Sequence, residues 1–300
     1  MFVRRCSTLS NLIGVKPTQL ETGRWVWEIP GKGKVSDIDF QEQIAVLKSA
    51  FKEGGDYLGS AGRAEHIDAL NPDSTEITFV GRSNVGKSCL LNAVTNSTPH
   101  KSGAQVSKRA GRTRVMHIFG VGRDNSKLQR RSLNRFRTVL VDLPGYGYAD
   151  ASSALASSMA KVVDSYLSKR HHTQLAKAFL LVDAKVGLNS NDLQMFEYLE
   201  HMRCPYQIVV TKCDKVTEDQ LDFNLSQFIN ELQKPEYTIV SPRVLGCSSK
   251  RRKKSNLRPD SRYFLTQDGG IDRIRSEILN IAKYHDISME LRTRSALHHL

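Results

Sequence analysis

The sequence predicts an α/β domain wound around a largely parallel sheet. Three observations carry that reading. From Glu76 onward six β-type runs alternate with five helical patterns. A Gly-x-x-x-x-Gly-Lys-Ser sequence joins the first of those runs to the first helix. Finally, 300 residues at 39% hydrophobic and 25% charged content suffice for one sizeable core plus extensions. The expected strands cover 76–80, 114–120, 136–142, 178–183, 206–211 and 238–247. Helices are expected near 87–96, 154–169, 191–202, 218–233 and 270–284. Thr217-Glu218-Asp219-Gln220 fits a capping box at the start of the fourth. In such a fold the binding loops gather at the carboxyl ends of the strands.

Ahead of this domain the pattern changes. Residues 1–20 contain Arg4, Arg5 and Lys16, Ser and Thr, and no acid before Glu21, which resembles a mitochondrial presequence. Residues 21–36 read as linker, so 1–36 form one unit of presequence and linker. Phe40, Ile44, Leu47 and Phe51 fall at helical spacing, giving a helical extension over 37–75 whose later part, 53–73, reads as connection around the Asn71-Pro72 turn signal. The main domain then spans 76–286, with a tail over 287–300.

Composition removes several function classes. No apolar run approaches the length of a membrane span. The five cysteines (Cys6, Cys89, Cys204, Cys213, Cys247) form no C-x-x-C pair, which argues against a zinc site or disulfide framework and for a reducing compartment. The nine histidines show no ligand spacing. Charge is the informative quantity: 44 Lys plus Arg against 31 Asp plus Glu, a net +13. Residues 101–114 carry +5, 120–137 another +5 and 250–258 +6, so these three runs hold more than the whole excess. Such clustering points to a polyanionic partner, RNA or a membrane surface.

The stretch Gly81-Arg82-Ser83-Asn84-Val85-Gly86-Lys87-Ser88 follows the β-branched run Ile77-Thr78-Phe79-Val80 and opens onto a helical pattern. That order is a phosphate-binding loop, in which glycines let backbone N–H groups turn toward an anion at a helix N-terminus. Lys87 is placed to bridge β- and γ-phosphates, and Ser88 to ligate Mg²⁺. Val139-Leu140-Val141-Asp142-Leu143-Pro144-Gly145 is an apolar strand ending in Asp-x-x-Gly. There Asp142 is the second magnesium residue, acting through water, and the Gly145 N–H the γ-phosphate sensor. Gly111-Arg112-Thr113 offers a threonine that completes the magnesium shell only while the γ-phosphate is present, an order–disorder switch. Lys87, Thr113 and Gly145 are therefore the catalytic candidates, and Ser88, Thr113 and Asp142 the metal candidates.

A base reader completes the set. Ile208-Val209-Val210 runs into Thr211-Lys212-Cys213-Asp214. The Asp214 carboxylate accepts from guanine N1–H and N2–H₂, and a mismatched base leaves that carboxylate desolvated and unpaired. The Lys212 stem packs across the purine and braces the phosphate loop. Ser248-Ser249 ends the last strand, where a backbone N–H meets guanine O6. The nucleotide is GTP or GDP with Mg²⁺.

Together these residues resemble the EngB family of TRAFAC-class GTPases, ribosome-assembly factors of bacteria with mitochondrial counterparts in eukaryotes. The resemblance rests on GRSNVGKS at 81–88, GRT at 111–113, DLPGYGYA at 142–149, TKCD at 211–214 and SS at 248–249, and covers about residues 76–284. It implies a Ras-like P-loop NTPase fold with a six-stranded, mostly parallel sheet flanked by helices. It also implies a monomeric GTPase in the mitochondrial matrix, working on the large ribosomal subunit and its rRNA, in assembly or in support of translation. The chain departs from the family in three places. Arg109-Ala110 stand where Thr-Pro usually precedes Gly-Arg-Thr, the segment around 120–135 is longer, and about 20 residues (250–269) intervene before the last helix. Tyr146 occupies the position where Ras-like enzymes carry a water-orienting glutamine, so slow intrinsic hydrolysis is expected. Asn84 occupies the position that coordinates potassium in related cation-activated GTPases. A second function class, a GTP-regulated membrane or scaffold protein with its basic loops on anionic lipids, is ranked lower for want of a hydrophobic insertion loop. A plain P-loop ATPase ranks third.

Overall fold

The computed structural model describes residues 26–32, 51, 54–62, 75–97, 115–123, 136–147, 153–171, 173–248 and 269–282. Its strands are β1 (Val26–Glu28), β2 (Asp56–Ala61), β3 (Thr75–Gly81), β4 (Met116–Arg123), β5 (Phe136–Asp142), β6 (Leu175–Asp183), β7 (Tyr206–Thr211) and β8 (Arg243–Gly246). The helices are α1 (Lys87–Val94), α2 (Ser153–Arg170), α3 (Ser190–His201), α4 (Glu218–Leu232) and α5, residues 271–282. All eight strands form one sheet in the order β1-β8-β7-β6-β3-β5-β4-β2.

β3 is the centre of that order. It is buried along its whole length and pairs in parallel with β5 on one side and β6 on the other. The chain leaves β3 toward one neighbour and later returns to the other, so the carboxyl end of β3 is the topological switch point where ligands bind. The parallel strands carry near-continuous apolar runs because both faces are covered. One face packs on α2, α3 and α4 through Val163, Tyr166, Phe196, Leu225 and Phe228. The other packs on α1 and α5 through Leu90, Leu91, Ile274 and Ile278.

The sheet has eight strands where the sequence predicted six. β1 lies in the stretch read as linker and pairs antiparallel with β8. It has only three residues, bounded by Pro30 and Gly31, too short to show a period, yet Trp27 is 3% exposed in the core. β2 lies in the stretch read as connection and pairs antiparallel with β4. A register shift between Tyr57 and Gly59 breaks the alternation that would have revealed it. Conversely, the last strand is shorter than the expected 238–247. Val240 makes only an isolated bridge to Tyr206, and Pro242, lacking an N–H, delays the ladder until Arg243. The expected helix from Asp39 to Lys52 falls outside the described residues except Phe51, which is buried.

At the end of β3 remote from the loops, Glu76 is fully buried and paired with Arg170 of α2, while the Tyr166 hydroxyl donates to the same carboxylate at 2.9 Å. Burial and the neighbouring carboxylate push the Tyr166 hydroxyl well above the usual phenol range. Removing one partner strands the other charge. Arg170→Met should lower unfolding free energy by about 3–5 kcal/mol in urea titrations; a loss below about 1 kcal/mol would show that the pair does not anchor α2.

Candidate functional site

The phosphate loop begins where β3 ends. Its left-handed residues are Asn84 (φ 62°) and Gly86 (φ 113°). Gly86 is also the N-cap of α1 and supplies no side-chain cap. The contrast with α3 and α4 is informative. Asn189 with Asp192, and Thr217 with the expected Gln220, form reciprocal capping boxes that satisfy their helices' first donors. The N-terminus of α1 has no such box. Among the described residues the N–H groups of Gly86, Lys87 and Ser88 have no backbone acceptor, which leaves them open at the positive end of a helix.

The loop's carbonyls are held away from that point. Lys87 Nζ donates to Gly81 O at 2.9 Å and Arg82 O at 3.0 Å. Lys212 Nζ donates to Asn84 O at 2.6 Å and Thr211 Oγ1 to Val85 O at 2.7 Å. Thr211 and Lys212 thus meet the loop, as expected for Lys212. Asp183, at the end of β6, fixes Lys212 through a 2.6 Å contact and also accepts the Lys185 N–H at 2.8 Å. Its hold on Lys212 joins residues 29 positions apart. Lys212 itself adopts a left-handed backbone (φ 58°), a strained conformation for a residue with a side chain.

Asp142 ends β5 within the reach of α1. Ser88 Oγ donates to its Oδ2 at 2.7 Å, while Oδ1 is buried with no partner. An orphaned carboxylate oxygen beside a hydroxyl is an oxygen donor set that suits a magnesium ion. Burial raises the Asp142 pKa, and Lys87, Ser88 and His117 oppose that shift. Burial in turn lowers Lys87 to about 8, against the pull of Asp142. His117, opposite Asp142 across the β4–β5 pair, is also lowered by burial. Magnesium, when bound here, would neutralise charge between the β- and γ-phosphates. Gly145 lies flush against the loop: a Cβ there would come within 2.9 Å of Lys87 Nζ and of the Ser83 backbone. The arrangement brings Lys87, Ser88, Asp142 and Gly145 to one place.

The base end is also assembled. Ser248 Oγ donates to Asp214 Oδ1 at 2.8 Å, and Lys215 Nζ lies 3.5 Å from Oδ2. Ser248 therefore orients the Asp214 carboxylate. Its own N–H, expected to meet guanine O6, is committed to Gly269 O at 2.9 Å. Ser249, Gly111, Arg112 and Thr113 lie outside the described residues. The Arg82 side chain turns away from the loop's centre, donating to Gly187 O at 3.2 Å and pairing with Asp192. Asp192 was not anticipated; the Asn-x-x-Asp capping spacing at 189–192 was its only signal in the sequence.

Comparison with known proteins supplies the remaining observation. A family model described as "50S ribosome-binding GTPase" matches residues 76–212. The probable GTP-binding protein EngB of Ehrlichia chaffeensis is 38% identical over 181 residues, 59% of this chain and 82% of that protein. The chain belongs to the EngB family. A second EngB, from Caulobacter vibrioides, is 34% identical over 214 residues, 70% of this chain and 82% of that protein. A solved structure of a probable GTP-binding protein engB aligns over 70% of this chain and 100% of its own with TM-score 0.47 at 19% identity. As an EngB-family protein the chain binds GTP and hydrolyses it, and its sheet carries the P-loop GTPase fold.

Asp214→Asn replaces an acceptor for guanine N1–H and N2–H₂ with an amide. Calorimetry should show GDP affinity reduced at least about tenfold, with ADP binding no tighter than before. Equal GDP affinity in the two proteins would remove Asp214 from the base pocket.

Proposed function

We propose that this EngB-family GTPase is a slow GTP-controlled switch on the large subunit of the mitochondrial ribosome, acting in its assembly or in support of translation. The carrying observation is where the basic runs join the fold. The 101–114 run leads directly into β4, whose His117 pairs with Asp142 at the nucleotide end of the sheet. The 250–258 run begins two residues after Ser248, which orients the base-reading Asp214. Two of the three positive runs therefore adjoin, along the chain, residues of the candidate nucleotide site. A polyanion bound there is coupled to nucleotide state through short covalent connections. The matching family model is that of 50S ribosome-binding GTPases, and the presequence-like residues 1–20 favour the mitochondrial matrix. Lys and Arg without interleaved aromatics suit rRNA phosphates over bases. No helix among the described residues is long and apolar enough to cross a membrane.

Slow turnover follows from Tyr146. Its hydroxyl donates to Asp192 at 3.1 Å, so it is engaged away from the phosphates and does not replace a water-orienting glutamine. Intrinsic hydrolysis belongs near the Ras basal range, of order 10⁻⁴ s⁻¹. The exposed, left-handed Asn84 beside the phosphates is the residue through which potassium would accelerate it.

On density gradients of mitochondrial extract the protein should co-migrate with large-subunit particles in the presence of a non-hydrolysable GTP analogue. That association should weaken steeply with added salt. Recruitment to cardiolipin vesicles without particle association would instead support a membrane role. Separately, GTPase rates should be higher in potassium than in sodium buffer; equal rates would dismiss Asn84 as a cation ligand.

A further inference from the structure

One carboxylate outside the nucleotide motifs joins three parts of the site. Asp192, in the first turn of α3, is 0% exposed. Its Oδ2 accepts the Asn189 N–H at 3.2 Å, closing the capping box. Its Oδ1 accepts the Tyr146 hydroxyl at 3.1 Å and lies 3.0 Å from Arg82 Nε. The Arg82 Nε–H is not aligned for a hydrogen bond, so that contact is an ion pair. Arg82 belongs to the phosphate loop, and Tyr146 directly follows the γ-phosphate sensor Gly145. The two segments are also joined through their backbones, since the Ser83 N–H donates to Tyr146 O at 3.0 Å. On the other side of Tyr146, Gly147 packs against α3, where a Cβ would come within 3.0 Å of Asn191 Nδ2.

Capping alone does not require this burial. At α4 the equivalent box is made by Thr217 and Gln220, both exposed. Burial raises the Asp192 pKa, and Arg82 is the first of the groups opposing that shift. The carboxylate is retained in a desolvated place by the two residues it organises.

The geometry points to Asp192 as the positioning residue that sets the affinity for GTP relative to GDP, by holding Tyr146 and with it Gly145 against the phosphate loop. GTP differs from GDP only in its γ-phosphoryl group, and Gly145 serves that group alone. A sensor already held in place need not be ordered when GTP binds, and this advantage is absent for GDP. Loosening the hold therefore penalises GTP selectively.

The inference rests on the guanine-nucleotide assignment, and the test separates the two. Full-length protein, Asp192→Asn and Tyr146→Phe are titrated calorimetrically with GDP and with a non-hydrolysable GTP analogue, each with Mg²⁺. Asp192→Asn should bind the analogue about tenfold more weakly with GDP affinity within about twofold, and Tyr146→Phe should shift in the same direction by a smaller factor. The double variant should match Asp192→Asn alone, because the tyrosine acts through the carboxylate. An unchanged affinity ratio, a parallel loss of both nucleotides, or a ratio moved toward the analogue would overturn the inference. Tyr146→Phe removes a single hydroxyl and decides the matter even if Asp192→Asn fails to fold. Absence of any nucleotide binding by the unaltered protein would overturn the nucleotide assignment itself along with it.

Discussion

A phosphate loop binds an anion only if its carbonyls point elsewhere, and here that condition is met by the loop's own lysine and by two side chains from a distant strand end. Lys87 holds the carbonyls of Gly81 and Arg82, Lys212 that of Asn84, and Thr211 that of Val85. The threonine bond is worth only about 0.5–1.5 kcal/mol net and each ammonium bond about 1.5–3 kcal/mol at most. Together they decide the direction in which a short left-handed segment presents its dipoles. Two of the four carbonyls are held from the end of β7, the strand that also delivers Asp214. Asp214 and the phosphate loop therefore share one support, and a shift at the end of β7 reaches the loop through Thr211 and Lys212.

The same site is arranged against stability. Lys87 and Asp142 are both buried; burial pulls the lysine down to about 8 and pushes the carboxyl up. Each partly compensates the other, but an oxygen of Asp142 remains unsatisfied and α1 begins without a side-chain cap. A sequence selected only for folding would cap that helix as it caps α3 and α4. Leaving such groups open is the usual stability cost of a binding site.

The parts of this design that could be read from sequence were the local ones. Gly81–Ser88, Asp142, Asp214 and the Thr217 capping box are short patterns whose chemistry is fixed by spacing. The strands of the parallel sheet were readable because burial on both faces gives continuous apolar runs. Three-residue β1 and bulged β2 were not, since their pairing is decided by edges supplied by β8 and β4. Asp192's hold on Arg82 and Asp183's hold on Lys212 were hidden for the same reason: these partners lie 110 and 29 positions away in sequence, and a local capping pattern does not mark such contacts. For Ser248 the sequence suggested a backbone N–H turned to the base; in the fold Gly269 O takes that N–H, and the hydroxyl donates to Asp214.

The central claim is that the N–H groups of Gly86, Lys87 and Ser88 are held open for a phosphate by outward-tied carbonyls. Backbone amide NMR of the full chain, with and without GDP and Mg²⁺, tests it most directly. GDP should move these three amide proton resonances downfield and slow their exchange with solvent, while ADP at the same concentration leaves them in place. Amides at 86–88 that do not respond to saturating GDP would contradict the account.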